Sequence, residues 1–382
     1  MAARVVIVGG GIVGSMHAWM ARKRGYDVVH LECEADARGA SVRNFGLVWV
    51  SGRAAGPELE LALRARELWE GIGAEVPAVG FRAAGSVTVA GTAAQAAVLA
   101  NAASAPDAPA RGFRLLDPAE TRAINPALRG EFPAALHCAR DAVVEPRSVA
   151  RALRTAMAAR ESYRYLPDTT VTDVRTGAVV SSGGQRWAAD LVIVATGAAH
   201  GGLASAHLSR AGLRRCRLQM MQTAPFHRVL TTAVADGDSL RYYPAFRPHG
   251  AAGLPPPAKV AADHRMQLLM VQRLDGSLTI GDTHAYDEPF DFDLDEEPYR
   301  HLRDAAERLL GEPLPPVTRR WAGVYSELAP VGDATAGAAH PPDRVYHRGE
   351  VAPGVIVVTG PGGRGMTCSP AIAEETFREF QP

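Results

Sequence analysis

The sequence is short of four things, and each shortage closes off a class of protein. Cysteine is scarce: Cys33, Cys138, Cys216 and Cys368 stand apart, with no C-x-x-C pair. Such spacing implies neither a zinc site nor a disulfide framework, and reads as reduced thiols in a cytoplasmic protein. Surplus charge is missing. Lys plus Arg and Asp plus Glu both number 41, a net charge of +0, which offers no basic face to nucleic acid or to an anionic membrane. No uninterrupted apolar run is long enough to cross a bilayer. The chain enters its first strand pattern at once, so no signal peptide is expected. Lysine is nearly absent: Lys23 and Lys259 are the two, and the other basic residues are arginine.

What is present is organised around Val5–Glu32, VVIVGGGIVGSMHAWMARKRGYDVVHLE. Val5–Val8 is a β-branched run suited to a strand buried on both faces. Gly9 and Gly11 permit a tight turn close to a pyrophosphate, and Gly14 lets the next helix pack near the strand. That helix, roughly Ile12–Arg24, starts at Ile12 and Val13 and presents N–H groups and a positive dipole end to phosphate. Gly25 ends it, and Tyr26–Leu31 is the next strand. Glu32 then stands about where an acid accepts bonds from a ribose 2′-OH, which argues against a 2′-phosphate and so against NADP.

At 382 residues the chain exceeds the ~100–200 of a typical domain, so one large or two intimate domains are expected. Ala35–Trp49 is irregular and punctuated by Ser41, Asn44 and Gly46. Glu58–Ile72, Thr92–Ala103, Pro146–Arg160 and Pro298–Leu310 read as helices, and Asp117 as an N-cap. Tyr163–Val180 reads as two short strands. Trp187–Gly197, WAADLVIVATG, is an apolar strand ending in Ala195-Thr196-Gly197. Leu218–Thr223 alternates like an edge strand, and Arg241–Tyr243 and Gln267–Val271 continue a strand-rich region. Ser277–His284 is a further strand. Pro330-Val331-Gly332-Asp333 follows Arg319–Tyr325. Gly354–Thr359 then leads through GPGGRGM into a helix from about Ser369 to Phe380. Strand–glycine–helix units at both ends, with strands between, suggest a discontinuous cofactor domain and an inserted sheet domain.

The first glycine motif with Glu32, Ala195–Gly197 after its strand, and Gly360–Met366 together resemble the D-amino-acid oxidase/glycine oxidase/sarcosine oxidase superfamily of FAD enzymes, over nearly the whole chain. The resemblance implies an α/β (α+β) fold. A Rossmann-like FAD domain would span 1–80, 143–216 and 327–382, with a mixed or antiparallel-sheet substrate domain inserted as 81–142 and 217–326. It implies that Gly9, Gly11 and Gly14 hold the pyrophosphate and Glu32 the adenosine ribose. Ser41, Arg43, Asn44 and Gly46 would line the flavin, and the Val171 backbone would meet the adenine. Gly362, Gly363, Arg364, Gly365, Met366 and Thr367 would lie by the pyrimidine side. Reduced flavin gains negative charge there, and backbone N–H groups at a helix start stabilise it. FAD is expected to be non-covalent: the first loop holds no His, and Gly323 stands where a linking cysteine would be.

Arg43-Asn44-Phe45-Gly46, Leu218–Pro225, Ile280–His284 and Arg320–Tyr325 are similar to a bacterial subgroup of that superfamily associated with aminophosphonate breakdown. Two departures from the wider pattern weaken an α-amino-acid substrate. No arginine follows Trp321-Ala322-Gly323, and Thr367 replaces a lysine. A further lysine, which speeds oxygen reaction in sarcosine oxidases, is missing from Thr279-Ile280-Gly281. The expected substrate residues are Arg43, Trp49, Arg320 and Trp321, and the expected catalytic residues His284, Tyr243 and Tyr325. The implied reaction is oxidation of a small amine by hydride transfer to flavin N5. Imine hydrolysis and reoxidation by O2 with H2O2 release would follow. Rival readings are an amine dehydrogenase with another acceptor, an NAD-dependent dehydrogenase and a non-catalytic flavin-binding protein. No metal is implied.

Overall fold

Two sheets divide most of the strands between them. In the computed structural model, which describes residues 2–330 and 344–382, the first sheet runs His347–Ala352, Val355–Thr359, Leu191–Val194, Arg4–Val8, Asp27–Leu31, Tyr163–Leu166. Every neighbouring pair except the first is parallel. Alternation along these strands feeds two cores. Val5, Ile7, Leu191, Ile193, Ile356 and Val358 pack with helices Ile12–Lys23, Pro57–Glu75, Val149–Ala158 and Gly365–Glu379. Val6, Val8, Val192, Val194, Val355 and Val357 pack with Val179 and Trp187 of a small sheet. Cover on both faces is why Val5–Val8 carries no polar residue.

Pro57–Glu75 shows how a helix here is fixed. Pro57 occupies its first turn, and Leu59, Ala62, Ala65, Trp69 and Ile72 are buried at helical spacing. The fully buried Trp69 donates its indole N–H to the Met366 and Thr367 carbonyls, both at 3.0 Å. This ties the helix to the last glycine loop.

The second sheet runs Val317–Leu328, Leu213–Pro225, Ser277–Gly281, Leu269–Gln272, Ala233–Ala235, Ser86–Ala90, Ala134–Cys138, Phe113–Leu116. Its outer face packs on Glu296–Leu310 through Val234, Met270, Leu278 and Ile280. Its inner face, with Leu218, Met220, Leu269 and Val271, meets Phe45, Leu47, Trp49 and Tyr243.

Several segments depart from expectation. Leu218–Thr223 is not at an edge: it lies inside a 13-residue strand paired on both sides. Arg241–Tyr243 is not strand. Ser239–Tyr242 is a helical turn, because the Asp236 carboxylate accepts from the N–H groups of Asp238, Ser239 and Leu268, and these bonds override the β preference of paired tyrosines. Tyr163–Val180 holds three strands rather than two. Trp187–Gly197 breaks between Arg186–Ala188 and Leu191–Val194, which join different sheets. The last helix starts at Gly365, four residues before Ser369. The Asp117 capping box forms as read. Residues 331–333 of the Pro330–Asp333 segment lie outside the described residues.

Candidate active site

One side of the site is made of backbone. Gly9 has φ +116°, a conformation glycine adopts without strain. A Cβ on Gly9 would run into the Ala195 carbonyl, and one on Gly14 into the Gly9 carbonyl. These absences let the first strand, its helix and the Leu191–Val194 strand end approach one another. Gly11 supplies no side-chain cap, so first-turn N–H groups of Val13 and Gly14 remain for an anion. Ile12 N–H is taken by Ser41 Oγ at 2.8 Å, which anchors the next segment here.

Glu32 is buried. Its carboxylate accepts from Gly10 N–H at 2.5 Å and from Glu34 N–H at 3.0 Å. Beneath the loop, His30 Nε2 lies 2.9 Å from the Gly9 carbonyl and Nδ1 lies 3.0 Å from Tyr163 Oη. A neutral ring satisfies both, donating from Nε2 and accepting at Nδ1. Burial pulls His30 down to about 4, against the opposing hydrogen bond to Gly9. Val171 opens the small sheet next to this corner, where Thr169 N–H bonds the Glu32 carbonyl.

Ala195 N–H donates to Val8, and Thr359 Oγ1 donates to the Gly197 carbonyl at 2.8 Å, with Thr196 between. Gly9–Gly14, Ala195–Gly197 and Gly360–Met366 therefore meet at the carboxyl ends of adjacent parallel strands, where such sheets open a ligand crevice. Gly362 takes φ +59°, Gly363 is exposed, and Gly365 and Met366 start the last helix. Thr367 Oγ1 accepts from Trp49 N–H at 2.9 Å and lies 3.2 Å from the Leu47 carbonyl.

Arg364 and Asn44 serve the frame. Arg364 binds Glu58 at 2.6 Å, and Arg53 approaches the same oxygen at 3.7 Å. Burial pushes Glu58 up, but the two guanidinium groups outweigh it and hold the carboxyl below its usual range. Asn44 donates to the Ala40 and Ser41 carbonyls and accepts from Gly46 N–H, closing a turn that keeps Gly46 at φ +70°. Two helix starts, a glycine cradle that any Cβ would fill and a buried acid 21 residues past Gly11 fit the two phosphates and ribose of a dinucleotide.

The facing side is made of side chains. Trp49 and Tyr243 lie 5.7 Å apart, Tyr242 meets Tyr243 edge-on at 5.1 Å, and His284 stacks on Tyr242 at 4.4 Å. His284 Nδ1 lies 2.9 Å from the Arg265 carbonyl; donating there leaves the Nε2 lone pair 3.8 Å from Asp282. Asp282 is buried, and its Oδ1 has no partner among the described residues. Burial pushes Asp282 above the usual carboxylate range, with His284 opposing. Strand alternation puts Trp321 and Tyr325 on one face, and Tyr325 joins the same core as Trp49 and Tyr243.

The expected residues do not all converge. Arg320 is a correction: it points to the outer face, 3.5 Å from Glu296 and over the Tyr299 ring. Arg43 is exposed and donates to the Ala322 carbonyl at 2.8 Å. Arg147, not singled out from sequence, lies 4.8 Å over Trp321. Asp282, Tyr242 and His30 were also missed. Asp282 carried a signal, an acid ending an apolar strand two residues before a histidine. Arg147 carried none.

A family model described as FAD dependent oxidoreductase matches residues 4–378. No curated protein matches the chain in sequence. Among solved structures, glycine oxidase from Geobacillus kaustophilus is 20% identical with TM-score 0.75, covering 99% of this chain and 95% of that one. L-proline dehydrogenase from P. horikoshii is 19% identical with TM-score 0.77, covering 99% and 94%. Iminodiacetate oxidase from a Chelativorans species is 19% identical with TM-score 0.72, covering 97% and 93%. At these identities the likeness is one of fold. Among the described residues no helix is long and apolar enough to cross a membrane.

Proposed function

The chain belongs to the FAD-dependent oxidoreductase family, and from that premise we propose that it oxidises a small primary or N-methyl amine, with an aminophosphonate as its substrate class. The family sets aside the NAD-dependent alternative. The observation that carries the reading is Asp282, a buried carboxylate with an oxygen unpartnered among the described residues, beside Tyr242 and Tyr243, the latter packed on Trp49. A carboxylate and aromatic faces receive an ammonium group and repel a carboxylate. Arg147 forms no ion pair among the described residues and lies over Trp321, which suits an anionic group such as a phosphonate. Glycine oxidase, L-proline dehydrogenase and iminodiacetate oxidase are all named for amino compounds, which supports an amine.

FAD, when bound, supplies the acceptor for the hydride of the amine's α-carbon. The chain's part is placement. N–H groups at the starts of Ile12–Lys23 and Gly365–Glu379 hold the cofactor's anionic groups, and Glu32 holds the ribose. Asp282 orients the ammonium group, and His284 Nε2 takes one of its N–H protons, which leaves the neutral amine whose lone pair forms the imine. Trp49, Tyr243 and Tyr325 keep water from the reacting carbon. The imine product hydrolyses after release. O2 is the acceptor in this reading, and the scattered cysteines suit a reducing compartment such as the cytoplasm.

A second reading, a dehydrogenase with another acceptor, is favoured by one observation. Position 281 faces Met220 and Phe45, with no cation there, and Lys259 is exposed and paired with Asp263. Oxygen uptake and peroxide release separate the two. With 2-aminoethylphosphonate or its N-methyl derivative, equal uptake and peroxide are expected. Turnover of glycine or sarcosine alone removes the aminophosphonate class. Turnover with an artificial acceptor but not with O2 selects the dehydrogenase.

A further inference from the structure

The span 33–40 runs from Glu32 to Ser41, and both of these residues are tied to the first glycine loop. The Glu32 carboxylate accepts from Gly10 N–H, and Ser41 Oγ accepts from Ile12 N–H. The middle of the span is tied as well, by a residue distant in sequence. Arg154 lies on the helix Val149–Ala158, whose Val149, Leu153 and Met157 pack in the core. One residue past Leu153, Arg154 is buried too. Its Nη1 donates to the Gly10 carbonyl at 3.2 Å, and its Nη2 donates to the Asp36 carboxylate. The guanidinium lies over the Tyr165 ring, 4.5 Å from its centre.

Asp36 also accepts from Ala37 N–H at 2.9 Å and pairs with the exposed Arg151. Burial pushes Asp36 up, but Arg151 and Arg154 outweigh it and hold the carboxyl below its usual range. Gly10 is held by both of its polar groups. Its N–H goes to Glu32, and its carbonyl accepts from Arg154 and from Ser15 Oγ, each at 3.2 Å. The Gly10–Gly11 peptide is trans, and in a trans peptide the carbonyl of one residue and the N–H of the next point opposite ways. A Gly10 carbonyl drawn toward Arg154 therefore turns the Gly11 N–H away from it. That N–H has no partner among the described residues and is left for an anion at the glycine loop.

We propose, on the reading that FAD occupies this crevice, that Arg154 is a positioning residue for the cofactor. It aims the Gly11 N–H at the pyrophosphate and latches the 33–40 span to the glycine loop, and so it sets how long FAD stays bound. One guanidinium does both, because Gly10 and Asp36 are its two hydrogen-bond partners.

The test is release of FAD from the loaded protein after dilution into FAD-free buffer, read as flavin in the filtrate over time. Arg154→Met and Asp36→Asn are each expected to release FAD about tenfold faster or more than wild type. The double variant should release it no faster than Arg154→Met alone, because Asp36 acts through Arg154. Arg154→Lys should recover part of the loss, since an ammonium can still reach one of the two partners. A residue that only props up the fold would show neither this coupling nor this rescue. Arg151→Met should stay within about twofold, because an exposed ion pair is screened by water. Asp36 is half-buried, so Asp36→Asn keeps the test valid if Arg154→Met unfolds. A wild-type release rate in either single variant, or increases that multiply in the double variant, overturns the proposal. Wild type that holds no FAD would overturn the cofactor assignment and the proposal with it.

Discussion

The cofactor crevice and the face opposite it are built in different materials. The crevice is backbone: its glycines at 9, 14 and 362 act through what they lack, and the helix starts act through N–H groups. The aromatic face is side chain: Trp49, Tyr243, Asp282 and Tyr325 arrive from four separate stretches of sequence. Backbone sites depend on short-range spacing and tolerate no Cβ. Side-chain sites depend on the register between distant strands, and can change residue by residue without loss of the fold.

The largest break in this contrast should come from Gly14→Ala. The added methyl meets the Gly9 carbonyl, so the loop must move. We expect FAD affinity to fall about a thousandfold or more, about 4 kcal/mol, read as the flavin-to-protein ratio after dialysis. Full FAD retention would mean that the cradle is not backbone-limited.

Next is Glu58→Gln, which leaves Arg364 and Arg53 beside a neutral amide. A loss of about 3 kcal/mol in denaturant unfolding is expected, because one partner of a buried charge cluster has gone. A loss below about 0.5 kcal/mol would make the cluster ornamental.

His30 gives a pH-dependent break. Its folded pKa of about 4 lies below the ordinary 6.5, so the folded state favours the neutral ring. That contribution is present above pH 6.5 and is lost as pH falls from 6.5 toward 4. His30→Gln should therefore narrow the stability gap between pH 7 and pH 5 by about 1–2 kcal/mol. An unchanged gap would remove His30 as the support under Gly9.

The smallest effects sharpen the aromatic side. Arg147→Ala should raise KM for 2-aminoethylphosphonate about tenfold, while Arg320→Ala, on the outer face, should leave kcat/KM within about twofold. The reverse ranking would move the anion end to the other face of the strand Val317–Leu328.

The same contrast explains what could be read in advance. Gly9-x-Gly11-x-x-Gly14, Glu32, Ala195–Gly197 and Gly360–Met366 were legible, because each is a local pattern that forces one backbone path. The two-sheet architecture was legible from strand–glycine–helix units at both ends. Arg241–Tyr243 was not, since the Asp236 carboxylate that bends it into a turn acts through bonds reaching as far as Leu268. Arg320 was misplaced for a related reason. A one-residue step along a strand reverses the face, and only pairing with Met221 and packing near Tyr299 settle which face is inside. Asp282 had a signal, an acid ending an apolar strand beside His284, but its unpartnered oxygen, which makes it a candidate, is not displayed by a sequence.

We propose an amine-reducible flavin whose amine is received by Asp282. Its most direct test is anaerobic bleaching of the visible flavin band in wild type and in Asp282→Asn. The amines are 2-aminoethylphosphonate, its N-methyl derivative, sarcosine, glycine and D-amino acids. Expected are rapid bleaching of wild type by the aminophosphonates, at least about tenfold slower bleaching of Asp282→Asn at equal FAD content, and full bleaching of both by dithionite. A flavin that dithionite reduces but no amine does, or equal rates in the two proteins, would contradict it.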